Sequence, residues 1–213
     1  MLQELTHLIF TQENLFVLLI VIAGGIIRGY TGFGSGLVMV PLFSLMWSPV
    51  DAVATTCGLG LFAAVQLTIS TVKYTKWREI SPMIVALLCV TPIGTFFLVA
   101  LDPAIVKKVI AGLVLFVTLI SLRGWQYSGP RGVFPSFVAG SIGAFINGLA
   151  AVGGPAVVLY FLSLPDEVRV QRSNITTIAS LMGVAVFSFT FLSGHVGPDV
   201  WWYILLFAGP YMI

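Results

Sequence analysis

The sequence predicts an all-α polytopic membrane protein made of two inverted repeats, each a glycine-broken helical hairpin followed by transmembrane helices. Three observations carry this expectation: an apolar composition with long uncharged runs, a motif that recurs at an offset of 119 residues, and an uneven spread of positive charge between loops. Hydrophobic residues make up 58% of the 213 and charged residues only 8%, against about 25% charged in a soluble domain. Mean hydropathy is +1.05.

Uncharged runs cover 52–72, 80–101 and 173–198, the last with His195 as its one ionisable group. Each can cross a hydrocarbon core, which needs about 20 helical residues. Glycine and proline are scattered through these runs, as membrane helices tolerate. The alternating segments of about 10 residues that a barrel needs do not occur. The first residues, Met1 to His7, carry no positive stretch, so no cleaved leader is expected. No linker divides the chain, and residues 1–213 read as one membrane domain. Its first repeat covers 15–122 and its second 132–213.

The repeat is read directly from two segments. Residues 23–40 are AGGIIRGYTGFGSGLVMV and residues 142–159 are IGAFINGLAAVGGPAVVL. The offset aligns Gly24 with Gly143, Gly29 with Gly148, and Gly34 with Gly153. After each knot comes a short apolar run and a proline turn (Ser48-Pro49 and Leu164-Pro165). A polar cluster follows, Thr55-Thr56 in one repeat and Ser173-Asn174 in the other. By the same logic about 28 residues that would complete the second repeat lie beyond Ile213, and the repeat reads as incomplete.

Residues 15–47 span 33 positions, roughly 50 Å as one helix at ~1.5 Å per residue. That is too long for one crossing and too short for two. A helix, a break and a shorter helix returning is the solution the glycines suggest, since freed backbone groups in a membrane are tolerated only inside protein or along a wet cavity.

Loop charges select the topology. The loops 73–79, 123–131 and 165–172 hold seven of the ten Lys and Arg residues, 102–108 holds two, and Arg28 lies within a hydrophobic segment. If both glycine-broken segments return to the side they entered from, the first three loops share the cytoplasmic side, as the positive-inside rule requires. The N-terminal tail, 48–51, 102–108 and 194–199 then lie outside. Each half carries three full spans, so the halves have opposite orientation, an architecture common in secondary transporters.

Other classes fit less well. A membrane-embedded enzyme needs convergent His, Asp, Glu or Cys at depth, and the acids here sit in loops apart from Asp51. An assembly or scaffold protein has no need of two glycine knots around buried donors. The net charge of +2 and the lack of an aromatic-interleaved basic patch argue against nucleic acid. Neither Cys57 nor Cys89 has metal-ligand spacing, and no motif calls for a cofactor.

Gly29-Tyr-Thr-Gly-Phe-Gly-Ser-Gly-Leu-Val-Met-Val-Pro41 resembles the first glycine signature of the TauE/SafE sulfite exporter family, and Asn147-Gly-Leu-Ala-Ala-Val-Gly-Gly-Pro155 resembles its second. The segment Trp77-Arg78 through Pro92-Ile-Gly94 and Leu101-Asp102 follows the same pattern. Ser35 and Ala151 depart from the fuller glycine form of the knots. The resemblance implies movement of sulfite or another small inorganic or organosulfur anion across the bacterial inner membrane, with the lipid bilayer and that anion as partners. The oligomeric state is left open.

The residues favour an anion on their own account. Helix N-termini after Gly36 and Pro155 would aim N–H groups and partial positive charge into a shared space. Arg28 lies one turn before Gly32 and shares its face, and an arginine at depth costs about 2.5–3.5 kcal/mol unless a cavity receives it. Its repeat partner is the neutral donor Asn147. The expected substrate-binding set is Arg28, Thr31, Gly32, Gly34, Ser35 and Gly36 from the first break, and Asn147, Gly148, Gly153 and Gly154 from the second. Thr55, Thr56, Ser173 and Asn174 join as further donors, and each also reads as a polar group that packs helices. Cys57 reads either as a contact for a sulfur substrate or as a small buried apolar residue.

Overall fold

The computed structural model describes residues 12–123 and 127–212. The helices are α1 (Gln12–Thr31), α2 (Ser35–Met46), α3 (Pro49–Thr71), α4 (Trp77–Ala100), α5 (Pro103–Leu122), α6 (Val133–Ala150), α7 (Gly154–Leu162), α8 (Val168–Leu192) and α9 (Asp199–Tyr211), with a 3-10 turn at Val72–Tyr74. No strand occurs among the described residues. Among the described residues six helices, α1, α3, α4, α5, α6 and α8, are long and apolar enough to cross a membrane. The expected position of the N-terminal tail falls outside the described residues.

Local chemistry sets the helix starts. Ser48 caps α3 by accepting a hydrogen bond from Asp51 N at 3.1 Å, with Pro49 in the first turn, where its missing N–H costs nothing. Asp102 caps α5 in the same way, accepting from Ala104 N at 2.7 Å ahead of Pro103. Pro41, Pro82, Pro92 and Pro210 lie within helices.

The glycine-rich segments fold as helix, break and shorter helix. At the first break α1 ends at Thr31 and α2 starts at Ser35; at the second α6 ends at Ala150 and α7 starts at Gly154. Both boundaries of the second break lie 119 residues beyond their counterparts at the first, and so does the start of α8 relative to α3. The chain reverses by the same device in both. Gly32 (φ 83°) donates its N–H to Arg28 O at 2.7 Å, and Ala151 (φ 52°) donates to Asn147 O at 2.7 Å. Both are left-handed caps, which glycine adopts freely and alanine at a cost of roughly 1–2 kcal/mol.

Both shorter helices run back along the longer ones. Met39 on α2 lies against Gly24 on α1, and Phe43 joins Val17, Ile20 and Val21 in one apolar cluster. Tyr160, near the end of α7, donates its hydroxyl to Gly132 O just before α6 at 3.1 Å.

The loops gather at two ends. At one end, Lys76 Nζ contacts Asp166, Tyr74 receives Arg169 over its ring at 4.9 Å, and Ser136 lies beside Glu79 O. At the other, Gly197 N donates to Asp51 Oδ1 at 2.8 Å, and Val50, Leu101 and Val106 belong to one apolar cluster. The loops around 76, 132 and 166 therefore share one end, and those around 50, 102 and 197 share the other. Helices α3 and α8, which the offset pairs, run antiparallel through the centre: Asp51 meets Gly197 at one end and Thr71 meets Ser173 at the other. Helix α5 is peripheral and presents Ile105, Leu115, Phe116, Leu119 and Leu122 outward, the dress of a lipid-facing helix.

Candidate functional site

The two breaks meet. A Cβ built on Gly36, in the first turn of α2, would collide with the carbonyl oxygen of Ala151, and one built on Gly154 would stand 2.9 Å from the Phe33 ring. Around this contact lies a cavity of about 40 Å³. That holds roughly three water-sized groups at the ~10–15 Å³ each requires, the scale of a small oxyanion. Five pairs of lining residues are related by the 119-residue offset: Arg28 and Asn147, Phe33 and Val152, Ser35 and Gly154, Gly36 and Pro155, Gly60 and Ala179. The cavity therefore draws on offset-related positions from both halves of the chain.

Arg28 dominates its chemistry. The residue is 7% exposed, and its Nε and Nη2 have no hydrogen-bond partner. A Cβ on Gly60 would stand 3.4 Å from Nη1, so the absent side chain at 60 makes room for the guanidinium. No Asp or Glu lines the cavity. A guanidinium in a space without carboxylates carries a net positive charge, and the three N–H donors of its Nε and Nη2 remain to be used. Thr56 also lines the space, with a buried hydroxyl that has no partner.

The helix starts add donors unequally. Helices α2 and α7 begin at Ser35 and Gly154, slightly earlier than the expected starts after Gly36 and Pro155, and neither has a side-chain cap. Pro155 has no N–H, so α7 offers fewer free donors than α2. Ser35 is 2% exposed and lines the cavity; its Oγ receives a hydrogen bond from the Tyr211 hydroxyl at 2.9 Å.

Of the expected site residues, Arg28, Gly34, Ser35, Gly36, Thr56, Cys57, Asn147 and Gly154 line this one space. Asn147 lines it with its amide occupied: Nδ2 donates to Met182 O at 3.3 Å, and Oδ1 accepts from Gly153 N at 3.2 Å. It braces the second break. The Thr31 hydroxyl is taken up by the first break, 2.7 Å from Ile27 O and 2.6 Å from Phe33 O. Gly32 faces Thr176, Gly153 is folded against Gly143 and Asn147, and Gly148 packs on the α4 backbone at Gly94. Thr55 is fully buried and outside the lining.

Ser173 and Asn174 lie away from the cavity. Ser173 Oγ donates to Thr71 O at 2.6 Å and pairs with Thr75 Oγ1 at 2.7 Å, while Asn174 Oδ1 accepts from Lys76 N at 2.9 Å. Together with Thr177, 2.9 Å from Thr75 Oγ1, they clasp the α3–α4 loop onto α8. Asp166 foremost, and Glu79 at 3.2 Å, raise the pKa of Lys76 above the ordinary lysine value. Gly60, Ala179 and Tyr211 were not among the expected site residues; the small pair at 60 and 179 is visible in the repeat once the cavity is known.

A family model described as Sulfite exporter TauE/SafE matches residues 16–213. No curated protein matches the chain, and no solved structure does.

Proposed function

Because this chain belongs to the sulfite exporter TauE/SafE family, we propose that it moves a small sulfur oxyanion or organosulfur anion across the bacterial inner membrane through the cavity between its two breaks. The observation that carries this reading is Arg28, 93% buried by its 7% exposure, with two unpartnered guanidinium nitrogens and no carboxylate in the lining. Such a group is costly at membrane depth and is retained where a ligand completes it. A single positive charge matches an anion of low charge. Donors from Ser35, Thr56 and the α2 N-terminus would take its remaining oxygens.

The antiparallel run of α3 and α8, and the matching breaks, support two halves of opposite orientation rocking about a fixed central site. In this scheme the α3–α4 clasp closes one entrance and the Asp51–Gly197 contact the other. The test is flux of sulfite, with thiosulfate in parallel, into liposomes holding the purified protein. Arg28→Gln should abolish most of the flux at equal inserted protein. Undiminished flux in that variant would remove the anion from this cavity. Absence of flux of either anion in the parent protein would leave the reading without support and favour a non-transport role.

A further inference from the structure

We propose that Tyr211 is a positioning residue of the anion site: its hydroxyl donates to Ser35 Oγ and thereby turns the Ser35 proton into the cavity as a ligand donor. The inference rests on the anion-transport reading of that cavity.

Tyr211 closes α9 and is 1% exposed. Its ring packs in the apolar cluster of Val17, Val21, Met39 and Leu59, which holds it in one place. The α9 backbone comes so close to α1 here that a Cβ on Gly25 would collide with the Tyr211 carbonyl oxygen. The hydroxyl reaches Ser35 Oγ at 2.9 Å. Ser35 Oγ then accepts from Tyr211, and its own proton has no acceptor among the described residues. Ser35 lines the cavity in the first turn of α2. Ser35 so turned and Arg28 in the same lining both present donors, which suits an anion whose oxygens all accept.

The test uses the full-length protein in detergent and sulfite as probe, with chloride as control. Sulfite affinity is measured for the parent, Tyr211→Phe, Ser35→Ala and the double variant, from the sulfite-dependent rise in melting temperature. Tyr211→Phe keeps the ring and should raise the sulfite Kd roughly tenfold, the scale of one lost hydrogen bond to a charged ligand. Ser35→Ala leaves the Tyr211 ring seated and should cost a similar factor. The double variant should be no worse than either single one, since both break the same link. Unchanged sulfite affinity in Tyr211→Phe would overturn the proposal, and so would penalties that multiply in the double variant, which would mean that Tyr211 acts apart from Ser35. A parent protein indifferent to sulfite would sink the anion reading itself, which the variants alone cannot do.

Discussion

Gly36 stands so close to the carbonyl oxygen of Ala151 that a Cβ would collide with it, so two hairpin tips 115 residues apart in sequence meet there against backbone. A main-chain oxygen in a capped turn cannot swing aside as a side-chain end can. Gly36→Ala should therefore separate the tips and remove transport, with a clear fall in melting temperature. Gly29 offers the contrast: it is exposed on α1, and a Cβ there meets nothing within 4 Å. Gly29→Ala should fold as well as the parent or gain up to about 1 kcal/mol from helix propensity. Melting in detergent, paired with flux per inserted molecule, checks both. Equal tolerance at the two positions would show that the tip contact carries no function.

Much of the architecture was legible because it is periodic. The offset of 119 read from Gly24, Gly29 and Gly34 also sets the ends of α1 and α6 and the starts of α2, α3, α7 and α8. Proline turns and glycine knots act through local backbone sterics, which a sequence displays openly. The partners of polar side chains are another matter. Asn174 and Thr55 are aligned by the repeat, yet Asn174 serves the backbone N–H of Lys76, a group with no signature in sequence. Asn147 reads from the sequence as a neutral donor, yet its Nδ2 donates to Met182 O and its Oδ1 accepts from Gly153 N in the turn. Tyr211 stands opposite Pro92 in the repeat, so comparison of the halves could not suggest it.

The clasp yields a prediction that separates support from binding. Asn174 is fully buried and accepts from Lys76 N. Asn174→Ala leaves that N–H unpaired, which costs about 1–3 kcal/mol. The variant should melt earlier and be cut faster in the α3–α4 loop by protease, while its sulfite Kd stays at the parental value. A Kd that rises with unchanged melting would return Asn174 to the binding site.

The same region makes a prediction about pH. The raised pKa of Lys76 reflects Asp166 first and Glu79 second. A base with a raised pKa adds stability that is fully present below its unfolded value, about 10.4, and is lost only as pH climbs through the folded value. Between pH 6 and 9 the contribution of Lys76 should therefore hold steady. Because the ammonium is exposed, added salt should weaken it. Protease cutting of the loop, compared between the parent and Lys76→Gln across that range, reads this out. A difference between the two that shrinks before pH 9 would rule it out.

Topology can be checked with the structure as guide. Lys73 and Glu167 are exposed and lie on loops that share one end of the molecule. With Cys57 and Cys89 replaced by alanine, Lys73→Cys and Glu167→Cys should both resist an impermeant thiol reagent added to intact cells, and both should react once the membrane is opened. Labelling of one and not the other would contradict the returning course of α6 and α7.

The last prediction distinguishes charge from shape at Arg28. The guanidinium is a planar fork with donors in fixed directions, and the missing side chain at Gly60 leaves it space. Arg28→Lys preserves the charge but replaces the fork with a compact ammonium on a flexible stem. A hydrogen bond to a charged group is worth about 1.5–3 kcal/mol, and each 1.4 kcal/mol is a factor of ten. Losing one such bond while keeping the charge should raise the KM for sulfite roughly tenfold in Arg28→Lys. Arg28→Gln loses the charge as well and should cost at least a hundredfold. Insertion should not suffer in the neutral variant, because removing an arginine from membrane depth lowers the insertion cost. Flux kinetics at matched levels of inserted protein give the ordering parent, lysine, glutamine. If lysine and glutamine variants fall together, the fork's geometry outweighs its charge, and the low-charge anion reading loses its electrostatic basis.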